Sequence, residues 1–189
     1  NASDLGVSGM PVGQLLASTG SLSIFDYDQS FNSKNTNSII ADYLKVNLQI
    51  KLYEIINFVE SNQLYEYYIP IKTMYADSFP EVSSETRAVS LEIRDLFFYF
   101  ESTTAPQILI ENASLSYAIS LLLDSIGFSN YAFLRVDEED DPIIPYFFVA
   151  PDQSIATILQ QLAISTQSAM FFDEYNNFIV MSKNYIMPT

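Results

Sequence analysis

Hydrophobic and polar positions alternate most regularly over residues 46–52. There Val46, Leu48, Ile50 and Leu52 are separated by Asn47, Gln49 and Lys51. A period of two predicts a β-strand with one apolar face, here running on through Ile55 to Val59. Glu60 to Gln63 reads as a turn, and Leu64 to Phe79 as a returning strand rich in tyrosine. Pro70 lies inside that strand and has no N–H to give to a ladder, so an edge position or a bulge is expected there. Ser21 to Asp28 and Thr86 to Ile93 predict two further strands, with Leu22 and Ile24 on the apolar face of one and Val89, Leu91 and Ile93 on that of the other. The segment 38–44 fits a short helix and an extended strand equally well. Residues 94–101 suit one or two helical turns, with Leu96, Phe97 and Phe100 on one side. Arg94 and Asp95 read as the strand-to-helix junction, an Asp near a helix start complementing its dipole.

Beyond Ser102 the texture changes, and the stretch STTAPQ marks a boundary, Pro106 blocking continuation of a helix. A helix then starts at Asn112 or Ser114, with Leu115, Ile119, Leu122, Leu123 and Ile126 on one face and Gly127 where a left-handed C-terminal residue belongs. Tyr131 to Val136 reads as a strand, the acidic run from Asp137 to Asp141 as a solvated turn, and Ile143 to Val149 as the returning strand. Ser154 caps a second helix with Ile155, Ile158, Leu159, Leu162 and Thr166 along one stripe. Ala169–Phe172 and Phe178–Met181 follow as a hairpin. The stretches SYAISLLLDSIGFSNYAFL and SIATILQQLAISTQSAMFF echo each other as one unit, a serine-started helix feeding an aromatic strand.

These elements sum to an α+β chain of two modules. The first is an antiparallel β-barrel or sandwich over 1–103; the second, over 104–189, has two helices packed on short antiparallel strands. Residues 1–20 hold four of the five glycines and read as a loop or edge segment.

Composition narrows the function. The chain has 189 residues, 49% of them hydrophobic, which is enough for a real core. No apolar run reaches the ~18 residues of a membrane span. Cysteine and histidine are both absent, which removes disulfides, thiolate chemistry, imidazole metal sites and Ser-His-Asp catalysis together. The net charge of −15 comes from 8 basic and 23 acidic residues, the basic ones scattered singly. Such a surface repels phosphate and disfavours nucleic-acid and anionic-membrane binding.

Few residues then qualify as sites. Asp26, Asp28, Ser30 and Asn32 alternate as calcium-loop oxygens do, but Phe31 stands where the loop glycine belongs and Asn37 where the final Glu belongs. A solvated strand end is the default reading, and no cofactor or metal is expected. A carboxylate pair of the glycosidase kind needs only two acids in register, which 23 of them supply by chance. Tyr65, Tyr67, Tyr68 and Tyr75, with the aromatic run 97–100, fit cross-strand packing or a protein interface, and secondarily a carbohydrate- or surface-binding strand over 65–75.

The order of segments resembles a known family. SLSIFDYDQSFN, the strand around VNLQIKLYE, then YYIPIKTMYADSF and VSLEIRDLFFYFE are similar to the first tube-forming domain of bacteriophage tail baseplate hub proteins, also called minor tail proteins. SLSYAISLLLDSIGF and the region from IIPYFFVAPDQ through FFDEYNNFIVM are similar to the domain that follows it, over about residues 20–183 in all. The resemblance implies a non-enzymatic structural component of a phage or prophage tail, made in the bacterial host cytoplasm and ending in the virion. It implies other tail and baseplate proteins as partners and a ring, usually a trimer, joining the tail tube to the tip. DNA would pass only as non-adhering cargo, and no membrane is involved. Family members run on into a second barrel, so the chain is expected to be a fragment.

Overall fold

A computed structural model describes residues 13–32, 35, 37–40, 43, 45–61, 63–78, 81–82 (backbone) and 87–186. The loop expected at the extreme N-terminus, and most of that expected over 80–86, lie outside the described residues. The elements are β1 (Gln14–Leu16), β2 (Thr19–Phe25), β3 (Gln49–Glu60), β4 (Gln63–Ala76), β5 (Glu81–Val82), β6 (Ala88–Arg94), α1 (Phe97–Ser102), β7 (Ile108–Ser114), α2 (Leu115–Asp124), β8 (Tyr131–Leu134), β9 (Ile143–Val149), α3 (Ile155–Thr166), β10 (Ala169–Phe172), β11 (Phe178–Met181) and α4 (Lys183–Ile186). They divide into two compact units: Ser18–Leu96, and the segments on either side of it taken together. The division falls before α1, where the sequence suggested a boundary just after it.

In the first unit β2, β6, β4 and β3 form an antiparallel sheet in that order, with β5 also on β6. The period-two residues meet as the pattern dictates: Leu22 faces Leu91, Ile24 faces Val89, and Ile50 faces Met74. Met74, Ala76, Val89, Leu91 and Ile93 are buried, with Leu22, Ile24, Phe31, Leu48, Ile50 and Leu52 packed against them. Pro70 does mark a bulge. Leu52 faces Lys72 and Tyr53 faces Pro70, which leaves Ile71 as the extra residue. The expected barrel or sandwich does not close among the described residues, because β2 and β3 end the sheet order without pairing each other. The class is α+β with open sheets.

The second unit holds a four-stranded mixed sheet, β1-β10-β11-β8, and a separate two-stranded ribbon of β7 and β9. This corrects the expected pairing of Tyr131–Val136 with Ile143–Val149. β8 runs parallel to β11, Tyr131 facing Phe178, while β9 runs antiparallel to β7. The sequence echo becomes two like paths, β7-α2-β8 and β9-α3-β10, whose first strands pair with each other and whose last strands flank β11. Both helices open on a serine: Ser114 Oγ accepts from the Tyr117 N–H at 3.3 Å and Ser154 Oγ from the Thr157 N–H at 3.2 Å. After α2 the chain reverses at Gly127 (φ +73°), the Phe128 N–H bonding Leu123 O at 3.0 Å. After α3 it reverses in the same way at Gln167 (φ +56°), the Ser168 N–H bonding Ala163 O at 3.1 Å. Phe97, Phe100, Phe128, Phe172 and Phe178 cluster with ring centroids 5.0 to 6.1 Å apart. Their largely edge-to-face contacts, and the burial of four of these rings, anchor this unit.

Candidate protein–protein interface

The β3–β4 hairpin is much longer than its core requires. Its base, Ile50 and Leu52 against Met74, covers the small core of the first unit. Beyond the bulge the two arms continue from Tyr53 to Ile69, and β6 pairs with β4 only at Tyr75 and Ala76. Directly opposed residues share a face. One face of the arms therefore carries Ile56 opposite Tyr67 and Phe58 opposite Tyr65; the other carries Tyr53 near Tyr68, Ile55 opposite Tyr68, and Val59 opposite Leu64. All nine of these large side chains are exposed, from 41% at Tyr65 to 70% at Val59.

Cross-strand packing gives the arms local order. Phe58 and Tyr65 stack at 5.4 Å between centroids, and Tyr53 meets Tyr68 edge-on at 6.2 Å. The Tyr65 hydroxyl donates to Gln63 Oε1 at 3.0 Å and the Tyr68 hydroxyl to Glu66 Oε2 at 2.6 Å. That bond and the negative charge of Glu66 hold the Tyr68 phenol above its ordinary pKa. A hairpin apolar on both faces, with long unpaired edges among the described residues, is a candidate surface for contact with another protein.

Of the tyrosines singled out from sequence, Tyr65, Tyr67 and Tyr68 lie on these arms, and Tyr75 lies at the base, where its oxygen accepts from Gln49 Nε2 at 3.2 Å. Tyr65 and Tyr67 face one way and Tyr68 the other, so they form no single stacking platform. Ile55, Ile56, Phe58 and Val59 were read as strand but not as surface. Their signal was present, since apolar residues at both parities describe a strand covered on both sides.

The other candidates take structural positions. Asp26 is buried, its carboxylate accepting from the Ser30 N–H at 2.8 Å and the Phe31 N–H at 3.0 Å. Asp28 lies at the surface, held below its ordinary pKa chiefly by a hydrogen bond from Ser30. No group of three or more acidic side chains suited to a metal ion occurs among the described residues. At the strand-to-helix junction Arg94 pairs with Asp77 at 2.8 Å, and Asp95 accepts from the Ser18 N–H at 2.7 Å. The acidic run is only half a solvated turn. Asp141 accepts from the Ser116 N–H and the Arg135 guanidinium, both at 3.0 Å, and Asp140 accepts from the Ser182 hydroxyl and Asn184 Nδ2. Glu138 and Glu139 remain exposed.

No helix among the described residues is long and apolar enough to cross a membrane. No protein-family model matches the sequence, and no curated protein matches it. Among solved structures the chain is similar to a tail protein from Neisseria meningitidis MC58, with 18% identity, a TM-score of 0.49, and 62% of this chain against 36% of that one covered. It is also similar to the 43 kDa tail protein of prophage MuSo2 from Shewanella oneidensis, with 12% identity, a TM-score of 0.45 and coverages of 72% and 44%. A chain of the Francisella PdpA-VgrG complex matches at 12% identity and a TM-score of 0.48, over 87% of this chain and 25% of that one. The chain thus spans less than half the length of each of these solved proteins.

Proposed function

We propose that this chain is a structural part of a phage or prophage tail, a baseplate hub or minor tail component that joins the tail tube to the tip without catalysis. The observation that carries the reading is the β3–β4 hairpin, whose two apolar faces and free edges suit an element inserted between neighbouring subunits. The order of segments that resembles tail hub proteins supports it, with the first unit as the tube-like domain and the second as the domain after it. In a ring, usually a trimer in that family, copies of the open sheet would complete the wall that one chain leaves open. The hairpin has no Lys or Arg between Tyr53 and Pro70 but carries Glu54, Glu60 and Glu66. A lumen lined in this way lets DNA slide without adhering.

Sedimentation of the chain across about 5–200 μM, a range that reveals micromolar self-association, tests this. Concentration-dependent trimers that Phe58→Lys with Tyr67→Lys abolishes, at unchanged circular dichroism, are expected. Identical monomers for both proteins at the top of the range would sink the ring. Glycan binding lost on Tyr67→Ala would redirect the hairpin to carbohydrate recognition.

A further inference from the structure

We infer that the free edge of β9 is a docking site for an extended, apolar, lysine- or arginine-bearing segment of another protein, which adds a strand to the β7–β9 ribbon. The site is separate from the β3–β4 hairpin and does not depend on the role proposed for it.

Three observations meet here. The ribbon has only two strands, and no described residue pairs with the outer edge of β9. Pro145 lacks an N–H, so the usable edge is the stretch from Tyr146 to Val149. Alongside it lies a half-open cavity of about 160 Å³, bounded by Tyr146, Phe147 and Phe148 of β9 and by Ile158, Gln161 and Leu162 of α3. The spacing i, i+3, i+4 puts those three α3 residues on one helix face. Phe147, Ile158 and Leu162 make a buried apolar floor, and Gln161 and Ser165 add polar groups to the lining. A strand laid along the edge would bond its backbone to β9 and drop one large side chain onto α3.

Charge chooses the occupant. Residues 97–186 contain eleven acidic and two basic side chains, and one of the two, Arg135, is paired with Asp141. A segment bearing Lys or Arg at its outward positions is drawn to such a surface.

The probe is a fluorescein-labelled peptide, Lys-Val-Lys-Phe-Lys-Val-Lys, followed by anisotropy with the whole chain. Binding near 10–100 μM is expected, weaker at high salt, with an acidic counterpart (Glu for each Lys) at least ~10-fold poorer. N-methylating alternate peptide nitrogens, which removes ladder donors and leaves charge intact, should weaken binding by at least ~10-fold. Gln161→Trp, an exposed position on α3 that would fill the cavity, should do the same. No binding by ~1 mM, or equal binding of the N-methylated peptide or by Gln161→Trp, overturns the proposal; so does self-association that Gln161→Trp alone removes.

Discussion

The two units spend their apolar residues in opposite ways. Among the described residues of the segment 18–96 five apolar side chains are buried, while nine large ones stand exposed on the arms of one hairpin. Among the described residues of the rest of the chain twenty-four apolar side chains are buried, and five phenylalanines form one cluster. The second unit is therefore stabilised from within, while the first leaves much of its apolar surface exposed. Area removed from water, and not hydrophobic content, decides stability.

That contrast can be broken at either end. Phe100 is fully buried against five other rings, so Phe100→Ala should destabilise the second unit by about 3–5 kcal/mol, read from urea unfolding followed by circular dichroism. Phe58→Ala removes a ring of the same size that is 47% exposed, and the unfolding midpoint of the first unit should move by no more than ~1 kcal/mol. Equal losses at the two positions would show that the hairpin has an internal partner and would end its reading as an interface.

The helix ends sharpen the comparison within the second unit. Gln167 occupies the left-handed position that Gly127 fills after α2, so Gln167→Gly should stabilise by about 1 kcal/mol. Nothing lies within 4 Å of a Cβ built at Gly127, so the similar loss of about 1 kcal/mol expected for Gly127→Ala is conformational alone. Thermal unfolding of both variants checks the pair; shifts of the same sign would mean the two reversals are not equivalent.

The smallest effect is at Asp28. Its pKa lies below 3.8 because the Ser30 hydrogen bond favours the carboxylate. A depressed acid contributes stability that is fully present above its unfolded pKa and lost as pH falls through the folded one, so the contribution is constant near neutrality and fades only below about pH 4. An NMR titration should find the Asp28 midpoint under 3.8 and rising in Ser30→Ala, which removes the largest cause of the depression but leaves the backbone N–H bonds in place.

Much of the fold was readable because it is local. Caps at Ser114 and Ser154, the reversal at Gly127, the bulge at Pro70 and the alternation through β3 each depend on residues within a few positions of one another, where φ/ψ preference and period act directly. The tyrosine-rich arm was readable for the same reason, though not that both of its faces stay bare.

What tertiary structure alone decided is pairing between distant segments. No local property tells Tyr131–Leu134 to lie beside Phe178 rather than turn back on Ile143, or Asp95 to bond Ser18. Asp140 and Asp141 look like solvated acids in the sequence because a carboxylate reads the same whether water or a protein donor satisfies it. Only the approach of remote donors separates the two cases. The sequence determined the elements; the free energy of covering their faces, shared among partners far apart in the chain, determined which elements meet.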